Sequence, residues 1–291
     1  MKELKQISVI GMGLLGGSVS LAILRCLPGV RVVGYSHRPA TRKKAKSLGA
    51  AHKIVDDIPK SVTATDLVIV ATPICAFQQT FKAIKDSLPD GCIVTDVGST
   101  KVLPHRWAAE TLPATVYYVG SHPIAGSEQR GIEFASDNLF DQAHCVLTRT
   151  AKTDVGAIRT LKKFWSSLGC SVNVMEAGEH DRILANVSHT PHVVAAALIN
   201  ANRTDELKLA GKGFADTSRI ASGPPNIWAD VLLTNAANVS RSIDRVINEL
   251  SKLQGAIDKG KKKRIEKLLE HARQKRSAML KYKVDRRELI S

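Results

Sequence analysis

The segment Val9-Ile10-Gly11-Met12-Gly13-Leu14-Leu15-Gly16 carries a G-x-G-x-x-G spacing between a β-branched run, Ile7–Ile10, and an apolar helical pattern, Leu15–Arg25. Each glycine has a separate task in such a turn. Gly11 permits the tight bend, Gly13 lets the backbone approach a pyrophosphate, and Gly16 lets the helix lie close against the strand. The helix N-terminus adds unpaired N–H groups that favour an anion. Strand, turn and helix in this order predict a dinucleotide held by Gly11, Met12, Gly13, Leu14, Leu15 and Gly16.

Outward from this turn, short strand-like runs alternate with helical ones. Further strands are expected at Arg31–Gly34, Leu67–Ala71, Ile93–Asp96, Val116–Val119, Cys145–Leu147 and Ser171–Val174. Helices are expected near Ala40–Leu48, Phe77–Ser87, Lys101–Thr111 and Val155–Leu168. Runs such as Leu67-Val68-Ile69-Val70-Ala71 are apolar on both faces, as a central parallel strand must be. After about Met175 only helical patterns continue, over Gly178–Asn200, from Pro225 to about Leu253, and over Lys262–Lys281, with a Gly/Ser/Pro-bearing connection at Gly211–Pro225. The reading is α/β: a doubly wound Rossmann-type domain at 1–175 followed by an all-helical substrate and dimerisation domain at 176–291.

With 291 residues, 44% of them hydrophobic and 24% charged, the chain has the make-up of a folded globular protein. Five cysteines at wide spacing, Cys26, Cys75, Cys92, Cys145 and Cys170, suggest neither a disulfide framework nor a zinc ribbon, so a cytoplasmic location is expected. No segment reaches the ~18 consecutive apolar residues of a membrane span. The net charge of +15 suits polyanions, but equally a small dianionic substrate and a phosphorylated cofactor. Much of the excess lies between Lys259 and Arg287, where a solvated helix face accounts for it.

The end of the second strand selects the dinucleotide. NAD calls for an acid there, but the sequence reads Ser36-His37-Arg38-Pro39-Ala40-Thr41-Arg42. A hydroxyl and guanidinium groups suit a 2′-phosphate, which makes NADP the expected cofactor through Ser36, His37 and Arg38, with NAD as the alternative. Thr72-Pro73 follows the strand Leu67–Ala71 at the carboxyl edge of the sheet and is expected to line the cofactor; Pro73 also serves simply to stop the strand.

The chemistry is expected at Asp96-Val97-Gly98-Ser99-Thr100-Lys101 and at Gly120-Ser121-His122-Pro123-Ile124-Ala125-Gly126, both placed at strand ends. Oxidising a carbinol needs a group that draws the hydroxyl proton as hydride departs, and a neutral imidazole suits this near pH 7. His122 is that candidate. Ser99 is placed to orient it, or to cap the following helix.

These motifs, with Gly11–Ser18, Ala71-Thr72-Pro73, Ser121–Glu128, His180-Asp181, Ser188-His189-Thr190-Pro191-His192 and Gly213–Ala221, resemble the prephenate/arogenate dehydrogenase family over about residues 6–230. The resemblance implies oxidative decarboxylation of prephenate to 4-hydroxyphenylpyruvate in tyrosine biosynthesis, or of arogenate directly to tyrosine. It implies that His122 accepts the hydrogen bond of the 4-hydroxyl with help from Ser99. It implies too that Arg219 pairs with a substrate carboxylate, while Ser188, His189 and His192 line the substrate pocket; the homodimer is expected separately, from a helical second half whose apolar faces suit a second subunit. Arg is suited to that pairing on its own chemistry, because its planar fork grips a carboxylate bidentately. His189 and His192 share a helix face without a His-Glu-x-x-His signature, so no metal is expected, and Pro191 between them is expected to distort the helix. Glu128 is a further candidate to gate the pocket or pair with Arg130.

Two other readings compete. A β-hydroxyacid-type dehydrogenase has the same periodicity, but would bring a Lys with a neighbouring Asn, whereas this helix offers His180, Asn186, His189 and His192 and no lysine. A nucleic-acid or regulatory binding protein on a dinucleotide fold would use the basic tail, but would not need the His and Ser at the strand ends.

Overall fold

The computed structural model describes residues 4–125 and 129–285. Six parallel strands form the main sheet: β1 (Gln6–Ile10), β2 (Arg31–Tyr35), β3 (Lys53–Val55), β4 (Leu67–Val70), β5 (Ile93–Asp96) and β6 (Tyr117–Tyr118), in the order β3-β2-β1-β4-β5-β6. Helices α1 (Leu14–Cys26), α2 (Pro39–Ser47), α3 (Ile58–Val62), α4 (Phe77–Ile84) and α5 (Val102–Thr111) make the crossovers. Side chains alternate across the strands, as a pleat requires: Leu67 and Ile69 enter one buried cluster with Val19, Ile23 and Trp165, while Val68 and Val70 enter another with Phe77, Phe81 and Ile84. Strand order reverses between β1 and β4, so the glycine turn and Thr72 flank one crevice at the carboxyl edge, where such sheets bind ligands.

The expected single parallel sheet is corrected in its later part. Val116–Val119 yields only the short β6. The chain then enters a second sheet of three strands, β7 (Gly120–Ile124), β8 (His144–Arg149) and β9 (Ser171–Glu176), with β7 antiparallel to β8 and β8 parallel to β9. Helix α6 (Val155–Ser167) connects β8 to β9. The stretch expected at a strand end is therefore itself a strand, and Pro123 is accommodated because β7 lies at a sheet edge. β3 and α3 were not expected, since a three-residue edge strand leaves little periodicity to read. Thr95 of β5 ties the two sheets: its hydroxyl donates to the Val119 carbonyl at 2.7 Å and lies 2.6 Å from Ser121 Oγ, which accepts from Trp165 Nε1 at 3.0 Å.

The helical half is more broken than the periodicity suggests. Gly178–Asn200 is α7 (Ala177–Leu184) and α8 (Thr190–Asn200) joined by a π-helical turn at Ala185–His189, immediately before Pro191. Proline cannot donate the N–H that a regular helix needs there, and the wider turn absorbs the mismatch. Helices α9 (Thr204–Leu207) and α10 (Lys212–Ser218) follow, the latter inside the stretch read as a connection, with a 3-10 turn at Arg219–Ser222. The long helix expected after Pro225 divides at Asn235 into α11 (Pro225–Thr234) and α12 (Ala236–Asp258).

By packing, the chain forms two compact units, Met1–Ala236 and Ala237–Ser291. The first includes α7 to α11, which the sequence reading had placed with the later helices. The second consists of α12 and α13 (Lys262–Asp285), joined by a turn in which Gly260 takes φ +58°. Ile247, Leu250, Ile257, Leu269, Met279 and Tyr282 are exposed on these helices. No helix among the described residues is long and apolar enough to cross a membrane.

Candidate active site

Gly11 takes φ +102°, and a Cβ there would lie 2.6 Å from the Ala71 carbonyl oxygen; a Cβ on Gly16 would lie 1.8 Å from the Gly11 carbonyl oxygen. These two glycines are required by the protein's own packing. Gly13 is different: a Cβ on it would meet nothing within 4 Å, although it stands at the N-cap of α1. The Thr72 hydroxyl oxygen, on the same edge, is buried with no hydrogen-bond partner. An open backbone approach beside the start of α1 and an unsatisfied hydroxyl suit a dinucleotide, so the residues present fit that group. Met12 is buried and its sulfur packs beneath Gly34, which leaves only its backbone to face a ligand; Leu14 and Leu15 are half-buried and Pro73 is exposed.

At the end of β2, Ser36 is buried and its hydroxyl oxygen lies 3.4 Å from the Arg38 N–H, while His37 and Arg38 are exposed. Arg42 is occupied: its guanidinium donates to the carbonyls of Ser36 and His37 at 2.9 and 3.0 Å and lies 3.6 Å from Asp56. Of the charged groups in this turn, Arg38 projects to solvent while Arg42 holds the turn's shape.

Asp96 ends β5 as a fully buried carboxylate, paired with the equally buried Lys101 and accepting from Gly98 N at 2.7 Å and Tyr118 Oη at 2.6 Å. This pair is structural, and breaking one partner of such a pair costs about 3–5 kcal/mol. It shapes the turn that carries Ser99, which is half-buried. Ser99 is not the helix cap, because α5 begins at Val102 with Lys101 at its N-cap. Asp181 of α7 satisfies that helix start instead, accepting from Lys101 N at 2.8 Å and Val102 N at 2.9 Å, where the helix dipole favours a negative charge.

Asp181 also begins a chain of side chains. Its carboxylate lies 2.8 Å from Nδ1 of His180, and Nε2 of His180 lies 2.9 Å from Nδ1 of His122. A carboxylate can only accept, so His180 donates from Nδ1 and presents a lone pair at Nε2. His122 must then donate from Nδ1, which leaves its Nε2 as a bare acceptor. Burial first, and the neighbouring His180 second, push the His122 imidazole well below its ordinary 6.5, keeping it neutral. Burial likewise lowers His180. His122 is half-buried, held by β7 on one side and His180 on the other.

The helical residues gather beside this chain. His189 is buried, lowered to about 4 chiefly by burial, with Nε2 unpartnered. His192 stacks on Trp228 of α11 with ring centroids 3.7 Å apart and planes 9° from parallel, its Nδ1 also unpartnered. Gly223 makes room for that stack, since a Cβ there would lie 2.3 Å from Trp228 Nε1. Ser188 is half-buried within the π turn, and Arg219 is exposed at the start of its 3-10 turn. Glu128, Gly126 and Ser127 lie outside the described residues.

The chain is similar to known proteins along most of its length. Residues 19–174 match the family model for the prephenate dehydrogenase nucleotide-binding domain, and residues 176–274 match that for the prephenate dehydrogenase dimerization domain. The chain belongs to the prephenate dehydrogenase family. It is 33% identical to the cyclohexadienyl dehydrogenase of Zymomonas mobilis over 98% of both chains, and 34% identical to the prephenate dehydrogenase of Bacillus subtilis over 89% of this chain and 72% of that one. The crystal structure of Aquifex aeolicus prephenate dehydrogenase in complex with hydroxyphenyl propionate and NAD+ superposes with a TM-score of 0.89 at 29% identity, covering 96% of this chain and 99% of that one.

Within this dehydrogenase family member, reasoning from the sequence missed Trp228 and Asn235 and did not place His180 or Asp181 in the site. The pair His180-Asp181 is visible as a motif, but its part in the site depends on α7 meeting the start of α5. A signal for Trp228 exists, since it is one of only three tryptophans and follows Gly223-Pro224-Pro225 directly after the Arg219 segment.

Proposed function

We propose that this chain oxidises prephenate to 4-hydroxyphenylpyruvate and CO2, with NADP preferred over NAD. The observation that carries the reading is the chain from Asp181 through His180 to His122, which leaves an acceptor nitrogen at His122 Nε2. The nicotinamide, when bound, supplies the hydride acceptor. His122 Nε2 takes the hydrogen bond of the ring 4-hydroxyl, drawing its proton as positive charge builds at C4. Ser99 adds a hydroxyl on the same side. Arg219, Ser188, His189 and His192 bind the substrate's carboxylates and side chain, an arginine fork for a carboxylate and neutral imidazoles for polar oxygens. Gly11, Met12, Gly13, Leu14, Leu15, Gly16, Thr72 and Pro73 hold the dinucleotide, and Ser36, His37 and Arg38 meet a 2′-phosphate.

Residues 1–175 serve the dinucleotide and 176–291 the substrate and self-association. The match to a dimerization-domain model and the apolar side chains exposed on α12 and α13 support a homodimer. Five free thiols support a cytoplasmic setting. Steady-state assay of prephenate and arogenate, each with NADP and with NAD, tests the whole reading. The expected result is the highest kcat/KM for prephenate with NADP; no turnover of either substrate with either cofactor overturns it.

A further inference from the structure

The amide of Asn235, buried at the C-cap of α11, has a fixed orientation. Its Nδ2 lies 2.7 Å from the Asp181 carbonyl oxygen and 3.2 Å from Nδ1 of His189. Turned over, the amide would set its own oxygen against that carbonyl, two acceptors in contact, so nitrogen must face Asp181. Both amide hydrogens are then directed outward, one to the carbonyl and one to the imidazole. We propose that Asn235 is a positioning residue which holds His189 as the Nε2–H tautomer, so that His189 presents a dedicated N–H donor to an oxygen of the substrate. The fully buried, unpartnered Nε2 of His189 is the atom this donor role requires. The lowered His189 pKa agrees, since a neutral ring carries a single N–H.

Asp181 thereby fixes two imidazoles with opposite results. Its carboxylate makes His122 an acceptor by way of His180, and its carbonyl makes His189 a donor by way of Asn235. The part concerning substrate rests on the prephenate reading above, whereas the tautomer does not.

The test is 15N NMR of histidine-labelled, full-length protein, with His189→Gln used to assign the signal, together with kinetics on prephenate for Asn235→Asp and Asn235→Ala. In the parent protein His189 Nδ1 is expected to be of the unprotonated, pyridine type. In Asn235→Asp it is expected to become protonated, because a carboxylate can only accept. KM for prephenate should rise roughly tenfold in that variant with a smaller change in kcat. A protonated Nδ1 in the parent overturns the proposal, and so does a folded Asn235→Asp variant with the parent's His189 spectrum and KM. A purely structural role predicts that second outcome, with both variants merely lowering Tm. Should prephenate not be turned over at all, the functional reading falls while the parent spectrum still decides the tautomer. Should the variants fail to fold, that same spectrum decides it alone.

Discussion

Nδ1 of His122 lies 2.9 Å from Nε2 of His180, and the two rings meet edge to face with centroids 5.1 Å apart. His122, on β7, is thus oriented by a residue from α7 that is 58 positions away in sequence. Its acceptor nitrogen is defined by that contact rather than by its own neighbours.

Replacing His122 with Asn removes the acceptor and should lower kcat by about 10²–10⁴-fold, the range for loss of a general acid–base group. Dinucleotide binding, measured by fluorescence titration, should stay within twofold. Turnover close to the parent's would remove His122 from the mechanism.

Asp181→Asn should lower kcat roughly 10²–10³-fold with His122 still in place, because an amide can offer His180 a donor and permit the wrong tautomer. The start of α5 would also lose its anion, so Tm should fall. A kcat within threefold of the parent's would show that the relay orients nothing.

Two glycines of the turn should separate cleanly. Gly13→Ala meets open space and should change stability by less than about 1 kcal/mol while weakening dinucleotide binding at least tenfold. Gly16→Ala drives a methyl into the Gly11 carbonyl and should cost on the order of 3 kcal/mol in denaturant unfolding. Equal dinucleotide affinity in Gly13→Ala and the parent would contradict this assignment of the turn.

His105 and His189 are both lowered to about 4, chiefly by burial. Their unfolded forms take up protons below about pH 6.5 while the folded forms resist until about 4. Stability is therefore fully present above pH 6.5 and is lost as pH falls toward 4, by up to roughly 3 kcal/mol for each residue. Urea unfolding at pH 7, 5.5 and 4.5 should show this slope, and His105→Gln should reduce it. A pH-independent midpoint would mean that these rings are not held neutral.

Much of the dinucleotide half is readable from the sequence, because Gly11 and Gly16 have steric reasons for their places, Gly13 leaves the backbone open to a ligand, and β4 is apolar on both faces. The second sheet is not readable in that way. Strand alternation at Cys145–Leu147 and Ser171–Val174 is the same whether the strands extend the first sheet or form another. The change of sheet depends on hydrogen bonds between Thr95, Ser121 and Trp165, residues with no mark of their own. The substrate side divides similarly: His189 and His192 stand out as a pair, whereas Asn235 acquires meaning only where it meets Asp181 and His189, and Trp228 only where it stacks on His192.

The wide turn at Ala185–His189 governs angular phase. An α-helix advances about 100° per residue, so nine regular steps would set His180 and His189 about 180° apart, on opposite sides of the rod. A π turn absorbs about one residue, which reduces that angle to about 80° and brings Asp181 and His189 to within about 20°. One surplus residue thus rotates two halves of a continuous helix into a common azimuth. Closing that turn into regular α-helix, with no residue removed, would leave every side chain intact and point the two imidazoles to opposite sides.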